Sequence, residues 1–146
     1  MHASSLVYPM YVMVLLTLVV LVRLFRSRVR AVREGVVEAS YFRLFRGGAE
    51  PDYAVKAGRH FANLFEAPML FYAACLAAMV TQTTGPAMTA LAWGYVVTRL
   101  VHAYIHLGGN RLRLRIRAYF ASWMVLVAMW TYLAVSISLP ASLSAS

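Results

Sequence analysis

Four long apolar segments decide what this chain can fold into. They cover about residues 6–25, 59–80, 86–107 and 117–139. Each approaches the roughly 20 residues that a helix needs to cross the apolar part of a bilayer. Because they occupy more than half of the 146 residues, little chain is left for an extramembrane domain. The sequence therefore predicts an all-α integral membrane protein, a single domain over residues 1–146 that folds as a bundle of four transmembrane helices.

The composition excludes the main classes of soluble protein. Hydrophobic residues make up 62% of the chain and charged residues only 13%, against about 25% charged residues in an ordinary globular protein. A soluble protein of this size needs a polar surface, which so few charges cannot form. We therefore interpret the net charge of +9 as a sign of contact with membrane lipids, and we expect no nucleic-acid partner.

The positions of lysine and arginine predict the orientation in the membrane. All of them except Arg99 lie in residues 23–59 or 108–118, and the C-terminal residues 140–146 carry none. The positive-inside rule then puts both basic segments in the cytoplasm and both termini outside. The first apolar segment is expected to remain as a helix, because arginines follow it instead of the small residues of a signal-peptide cleavage site.

The second apolar segment carries polar residues where they are costly. Arg59, Asn63 and Glu66 fall on one face of a helix at about 100° per residue, and Pro68 is expected to kink that helix. One interpretation is an ion pair between Arg59 and Glu66 that only fixes helix packing. The other is a binding face for a zwitterionic ligand, since ionisable groups inside a membrane often mark functional sites.

The third apolar segment carries a similar polar face, formed by Arg99, His102 and His106. Two histidines four residues apart can bind a metal ion. The only further candidate ligands are His60 and Glu66, so we predict no metal site. The alternative is a pair of hydrogen-bonded histidines that serve packing.

Alternating arginines begin the fourth apolar segment, at positions 111, 113, 115 and 117. Such a run is typical of a collar that binds lipid headgroups. Arg115 and Tyr119 are one helical turn apart and face the same way, whereas Arg113 and Arg117 form a pair on another face. With the two polar faces, this run predicts an arginine-rich pocket near the cytoplasmic interface. Such a pocket suits a small carboxylate-bearing anion, and an apolar co-substrate can reach it through the lipid.

The sequence around this predicted pocket resembles that of the MAPEG family, the membrane-associated proteins of eicosanoid and glutathione metabolism. The resemblance is to the bacterial branch of that family in particular. The resemblance lies in Arg59-x-x-x-Asn63-x-x-Glu66-x-Pro68, in Arg99-x-x-His102-x-x-x-His106-Leu-Gly, and in Arg115-Ile-Arg-Ala-Tyr119. It covers the chain from about Val7 to Leu139. It implies a homotrimer in the bacterial inner membrane, with glutathione bound between neighbouring subunits on the cytoplasmic side.

The resemblance also implies roles for individual residues. Glutathione as co-substrate would be held by Arg30, Arg59, Asn63, Glu66, Arg99, His102, His106 and Tyr119. The catalytic arginine beside the thiolate would be Arg115, or Arg117 if the preceding turn carries two extra residues. The implied activity is that of a glutathione-dependent transferase or peroxidase acting on a lipophilic electrophile.

Two departures from the family pattern keep other functions open. Ala62 stands where several members carry a second arginine, and His106 stands where a tyrosine is expected. One alternative is a non-catalytic member that binds a lipid or acts as a scaffold. Another is a small four-span transporter, for which Glu66 would be the coupling carboxylate.

Overall fold

The computed structural model describes residues 3–138, and it contains helices and no strand within that range. A short 3-10 helix at Ala3–Leu6 leads into α1 (Val7–Arg33), α2 (Tyr41–Leu44), α3 (Asp52–Asn63), α4 (Ala67–Val80), α5 (Pro86–Leu107) and α6 (Leu112–Ser138). The predicted all-α fold is therefore confirmed. The predicted end of the last span at residue 139 and the expected position of the C-terminal tail lie outside the described residues.

Three stretches are long and apolar enough to cross a membrane, judged by length and composition: α1, the stretch Asp52–Val80 that contains α3 and α4, and α6. Helix α5 has 22 residues and is also long enough, but Arg99, His102 and His106 make it less apolar. It packs along α6 and also contacts α1, α3 and α4. The long helix that is not among these three apolar stretches thus packs against four other helices.

Polar and apolar side chains are distributed as expected for a lipid environment. The buried polar side chains of residues 5–138 are His60, Thr84, Arg99, His102, His106 and Ser122. Large apolar side chains instead face outward along α1 and α6, among them Leu18, Val19, Met124 and Val127. Inside the bundle, the rings of Phe71 and Tyr95 stack with their centroids 4.5 Å apart. Buried polar and outward-facing apolar side chains, the reverse of the pattern in a soluble protein, fit helices whose outer surface contacts hydrocarbon.

Helices α1 and α5 run parallel. At one end the hydroxyl oxygens of Ser5 and Thr89 are 3.2 Å apart. At the other end the guanidinium of Arg23 donates to the backbone carbonyl oxygen of Leu107 over 3.4 Å. The end of α1, the start of α3, the end of α5 and the start of α6 therefore share one end of the bundle. Both arginine-rich segments meet there, and we call it the basic end.

The second apolar segment is broken, and Pro68 explains where. Proline has no backbone N–H, and its ring clashes with the carbonyl four residues earlier, which belongs to Leu64. Accordingly α3 ends at Asn63 and α4 begins at Ala67, with Pro68 in its first turn. The predicted kink at Pro68 is therefore a break over residues 64–66. Glu66 lies outside both helices, so the prediction that it shares a helix face with Arg59 and Asn63 is wrong.

Candidate functional site

A cavity of about 450 Å³ with charged side chains in its lining opens at the basic end, between α3, α5 and α6. It is lined by Arg59, Ala62, Asn63, Glu66, His102, His106, Arg115, Ile116, Tyr119 and Phe120. We call it the α3–α5–α6 cavity. The predicted polar faces of the second and third segments thus meet the first turns of α6 in one place. Although Glu66 is outside the helices, the break at residues 64–66 leaves it beside this cavity.

The acidic and basic groups of the cavity are not paired with each other. Within residues 3–138 the ion pairs join Arg28 to Glu50, at 3.6 Å, and Arg30 to Glu34, at 2.7 Å. The proposed packing ion pair between Arg59 and Glu66 is not formed. Both of these side chains are exposed, so a cation and a carboxylate are available to a ligand.

Arg99 lies behind the wall of the cavity. Its side chain is fully buried, and its Nη2 donates a hydrogen bond of 3.1 Å to the backbone carbonyl oxygen of Asn63. The last carbonyls of a helix have no intrahelical partner and carry partial negative charge. Because α3 ends at Asn63, Arg99 caps that helix from α5 and so supports the cavity wall. Its Nε and Nη1 have no hydrogen-bond partner among the described residues.

Arg115 is held at the cavity by the turn that precedes α6. Its Nη1 donates a hydrogen bond of 2.7 Å to the side-chain oxygen of Asn110. Asn110 adopts a left-handed backbone conformation with φ 46°, which asparagine tolerates better than most residues. Tyr119 lines the cavity one turn further along the helix. Arg117 is exposed and is not among the lining residues.

Arg30 lies outside this cavity within one chain. It sits on α1 beside a second cavity of about 840 Å³, which is lined by residues of α1, by Tyr53, Lys56 and Ala57, and by the end of α5. Its guanidinium lies 4.7 Å from the centroid of the Tyr53 ring and donates to Glu34. The hydrogen bond from Arg30, and then the one from the Tyr53 hydroxyl, lower the pKa of Glu34.

His60 is a site residue that the sequence analysis did not select. It is completely buried on α3, and its ring centroid lies 5.6 Å from that of His102 and 4.9 Å from that of His106. On a helix, His60 points about 100° away from Arg59, so it does not share the predicted polar face of the second segment. The available signal was that His60, His102 and His106 all lie near the basic ends of neighbouring segments.

The charges and size of the α3–α5–α6 cavity define its chemistry. Arg59 and Arg115 can bind carboxylates through charge-assisted hydrogen bonds, and Glu66 can accept from an ammonium group. A volume of about 450 Å³ lies within the roughly 300–1,000 Å³ of small-molecule sites. Ile116 and Phe120 give the cavity an apolar edge, and both side chains are exposed on α6. The site therefore suits a small zwitterion with more than one carboxylate, next to an apolar compound.

A family model for MAPEG proteins matches residues 6–135. This range contains α1 to α5 and most of α6, and it includes every residue that lines the α3–α5–α6 cavity. No curated protein and no solved structure gives a significant match to the chain.

Proposed function

Because the chain belongs to the MAPEG family, we propose that it is a glutathione-dependent membrane transferase or peroxidase that acts on a lipophilic electrophile. The observation that carries this proposal is the α3–α5–α6 cavity, which joins Arg59, Glu66 and Arg115 at the basic end. Membership makes glutathione the leading candidate for the polar ligand, since family members generally use it.

The charges of glutathione match those of the cavity. The tripeptide carries two carboxylates and one ammonium group at neutral pH. Arg59 supplies a cation for one carboxylate, and Glu66 supplies a carboxylate for the ammonium group, with no ion pair between Arg59 and Glu66 to be broken first. Arg115 supplies a second cation, for the thiol. Asn63 and Tyr119 add neutral hydrogen-bonding groups beside them. Arg99 takes part by holding the end of α3 in place.

Arg115 is the residue that we assign to the thiol. When bound, glutathione supplies a thiol whose reactive form is the thiolate. A guanidinium remains charged at any physiological pH, and a cation within about 4–6 Å favours the ionised form of an acid. The hydrogen bond to Asn110 keeps the Arg115 guanidinium at the cavity rim. Arg117 remains the alternative, although its exposure favours contact with lipid headgroups.

The electrophile reaches the site from the bilayer in this proposal. Ile116 and Phe120 form an apolar edge where α6 meets the cavity. A lipid-soluble compound that partitions into the membrane would be held there against the sulfur, and proximity supplies much of the rate of such a reaction. Transfer of the glutathionyl group to an electrophile, in which the thiolate sulfur bonds to that compound, and reduction of a peroxide both begin with this arrangement.

We also propose that α5 is a fourth transmembrane helix and that the basic end is cytoplasmic. Arg99, His102 and His106 are buried against the other helices, so the low hydropathy of α5 does not oppose a membrane location. The concentration of arginines at the basic end favours the cytoplasmic side of a bacterial inner membrane. This orientation exposes the cavity to the cytoplasm, where glutathione is found, and places the start of α1 on the outer side.

A homotrimer accounts for Arg30. Within one chain, Arg30 lies on α1 beside the second cavity and does not reach the α3–α5–α6 cavity. If α1 of a neighbouring subunit packs beside α3 and α6, its Arg30 can complete the set of cations around the ligand. The exposed apolar side chains of α1, such as Leu18 and Val19, are available for that contact.

The proposed binding is tested by heat stabilisation of the detergent-purified protein. Glutathione at about 100 times its Kd stabilises a folded protein by about 2.7 kcal/mol, which raises the melting temperature. Glu66→Gln removes the partner of the ammonium group and is expected to reduce this gain. Glu38→Gln is the matched control, since Glu38 is exposed on the loop before α2. The absence of stabilisation in the wild-type protein would refute glutathione binding.

The second cavity favours one other candidate function, lipid binding without catalysis. It combines apolar residues of α1, such as Leu18 and Val22, with the cations of Arg23, Arg26 and Lys56. An acyl chain with an anionic headgroup fits that pattern. Co-purified phospholipid together with no turnover of chlorodinitrobenzene would support this function over the enzyme.

A further inference from the structure

We propose that His60, His102 and His106 form a binding site for a divalent transition-metal ion, with Zn²⁺ as the preferred occupant. The chain has 4 histidines, and all of them except His2 converge at this one point. His60 comes from α3, whereas His102 and His106 come from successive turns of α5. From the sequence, His60 and Glu66 were the only further candidate ligands and no metal site was predicted; the fold brings His60 beside His102 and His106.

The three rings have the spacing of a tris-histidine metal site. Their centroids are 5.6 Å, 4.9 Å and 5.7 Å apart. With Zn–N bonds of about 2.0–2.1 Å in a tetrahedral arrangement, ring centroids lie roughly 5 Å apart. One ring nitrogen from each histidine already lies within 4.8 Å of the others. Small side-chain rotations therefore bring the three nitrogens to the roughly 3.4 Å separation that a tetrahedral zinc ion requires.

Five of the six ring nitrogens are buried without a hydrogen-bond partner among the described residues. His60 is 0% exposed, and His102 and His106 are each 2% exposed. The buried side-chain atoms without a hydrogen-bond partner in the described part of the chain include both nitrogens of His60, both nitrogens of His102 and Nδ1 of His106. Buried polar atoms nearly always have a hydrogen-bond partner, because a buried donor or acceptor without one destabilises the fold. A metal ion would bind one of these nitrogens on each ring. The three residues already lie side by side, so only their side chains have to rotate.

The surrounding charges determine what else the site needs. Arg99, Arg59 and Arg115 lie near the three histidines, and Glu66 is the carboxylate of the same cavity. These arginines disfavour a bare divalent cation, so the metal is expected to bind together with an anion. Catalytic zinc sites commonly have three protein ligands and an open fourth position. His102 and His106 line the α3–α5–α6 cavity, so the Glu66 carboxylate or a small thiolate bound in that cavity would supply the fourth ligand and lower the net charge.

The test uses the full-length protein in detergent, with the affinity tag removed and His2 replaced by alanine. The protein is loaded with Zn²⁺, desalted and analysed for metal content, and Co²⁺ is then used as a spectroscopic probe. We expect one metal ion per chain and the intense visible absorption of tetrahedral Co²⁺. His60→Phe keeps a ring of similar shape but removes the ligand. It is expected to weaken metal binding by more than the roughly 10- to 100-fold caused by losing an outer-shell partner.

Tyr95→Phe is the matched control, since Tyr95 is also buried and its hydroxyl also has no partner among the described residues. It should bind Co²⁺ like the parent protein. A folded parent protein that retains no metal, or a His60→Phe variant with unchanged affinity, would overturn the proposal. Heat stabilisation by glutathione is measured on the same samples with and without EDTA. A parent protein that is stabilised by glutathione but retains no metal overturns only the metal site, and a protein that binds metal but is not stabilised by glutathione overturns only the proposed function.

Discussion

Single residues at the basic end link the ends of helices to the candidate site. Arg99 ties the last carbonyl of α3 to α5, and Asn110 ties the turn before α6 to Arg115. Neither link was evident from the sequence, because the helix period shows which way a side chain points and not what it meets. The same period did predict that Arg59 and Asn63 share a face and that Arg115 and Tyr119 share another, and all four line the cavity.

Asn110→Gly isolates the contribution of the hydrogen bond to Arg115. Glycine adopts the left-handed conformation of Asn110 without strain, so the turn should persist and the melting temperature should change little. The Arg115 guanidinium loses its anchor, and the ionisation of bound glutathione should therefore decrease. Thiolate absorbance and the melting temperature are measured on the same samples.

Asn110→Ala serves as the comparison, since alanine in a left-handed conformation costs roughly 1–2 kcal/mol. This variant should lose both stability and thiolate signal. A full thiolate signal in Asn110→Gly would show that the side chain of Asn110 does not position Arg115.

Arg99→Leu tests the cap on α3. The change removes the hydrogen bond to the carbonyl oxygen of Asn63, and a buried group left without its partner costs about 1–3 kcal/mol. We expect a lower melting temperature and weaker glutathione binding, because the end of α3 carries part of the cavity wall. Arg117→Leu, at an exposed arginine, should leave both quantities near the wild-type values. Equal effects of the two substitutions would contradict the capping role.

At the level of elements, the break between α3 and α4 sets the shape of the site. The sequence predicted a kink at Pro68. It did not predict that residues 64–66 would leave the helix altogether. The effect reaches back because proline conflicts with the carbonyl four residues earlier. The break is also why Glu66 lines the cavity from outside a helix and why the end of α3 needs a partner from α5.

Pro68→Ala tests the function of this break. Alanine restores the missing N–H and relieves the clash, so α3 and α4 should become more continuous and the protein should not lose stability. Glu66 would then move with the helix, and stabilisation by glutathione should decrease. Pro86→Ala is the control, because Pro86 begins α5 at the opposite end of the bundle. Unchanged glutathione binding in Pro68→Ala would show that the break does not position Glu66.

At the scale of the whole molecule, the apolar segments predicted an all-α membrane protein, and the helices and family membership confirm it. The remaining predictions depend on contacts that one chain does not contain. Arg30 is the clearest case, since the resemblance groups it with Arg59 and Glu66, whereas within one subunit it pairs with Glu34 beside the second cavity. The proposed homotrimer would bring Arg30 of one subunit to the α3–α5–α6 cavity of its neighbour.

Native mass spectrometry in detergent tests this assembly, and we expect a trimer. Arg30→Ala should weaken stabilisation by glutathione while leaving the trimer intact, because Arg30 is exposed and its pair with Glu34 is on the surface. Surface ion pairs contribute only about 0–1 kcal/mol to stability, so loss of folding is not expected. A monomeric protein that binds glutathione fully, or an Arg30→Ala variant with unchanged binding, would contradict the shared site.

The ultraviolet difference spectrum of glutathione bound to the purified protein tests the central proposal most directly. We predict a thiolate absorbance band at neutral pH in the wild-type protein. Arg115→Ala should abolish the band, and Arg117→Ala should retain it, because Arg115 lines the cavity and Arg117 does not. No band in a wild-type protein that is saturated with glutathione would contradict the proposal that the basic end activates a thiol.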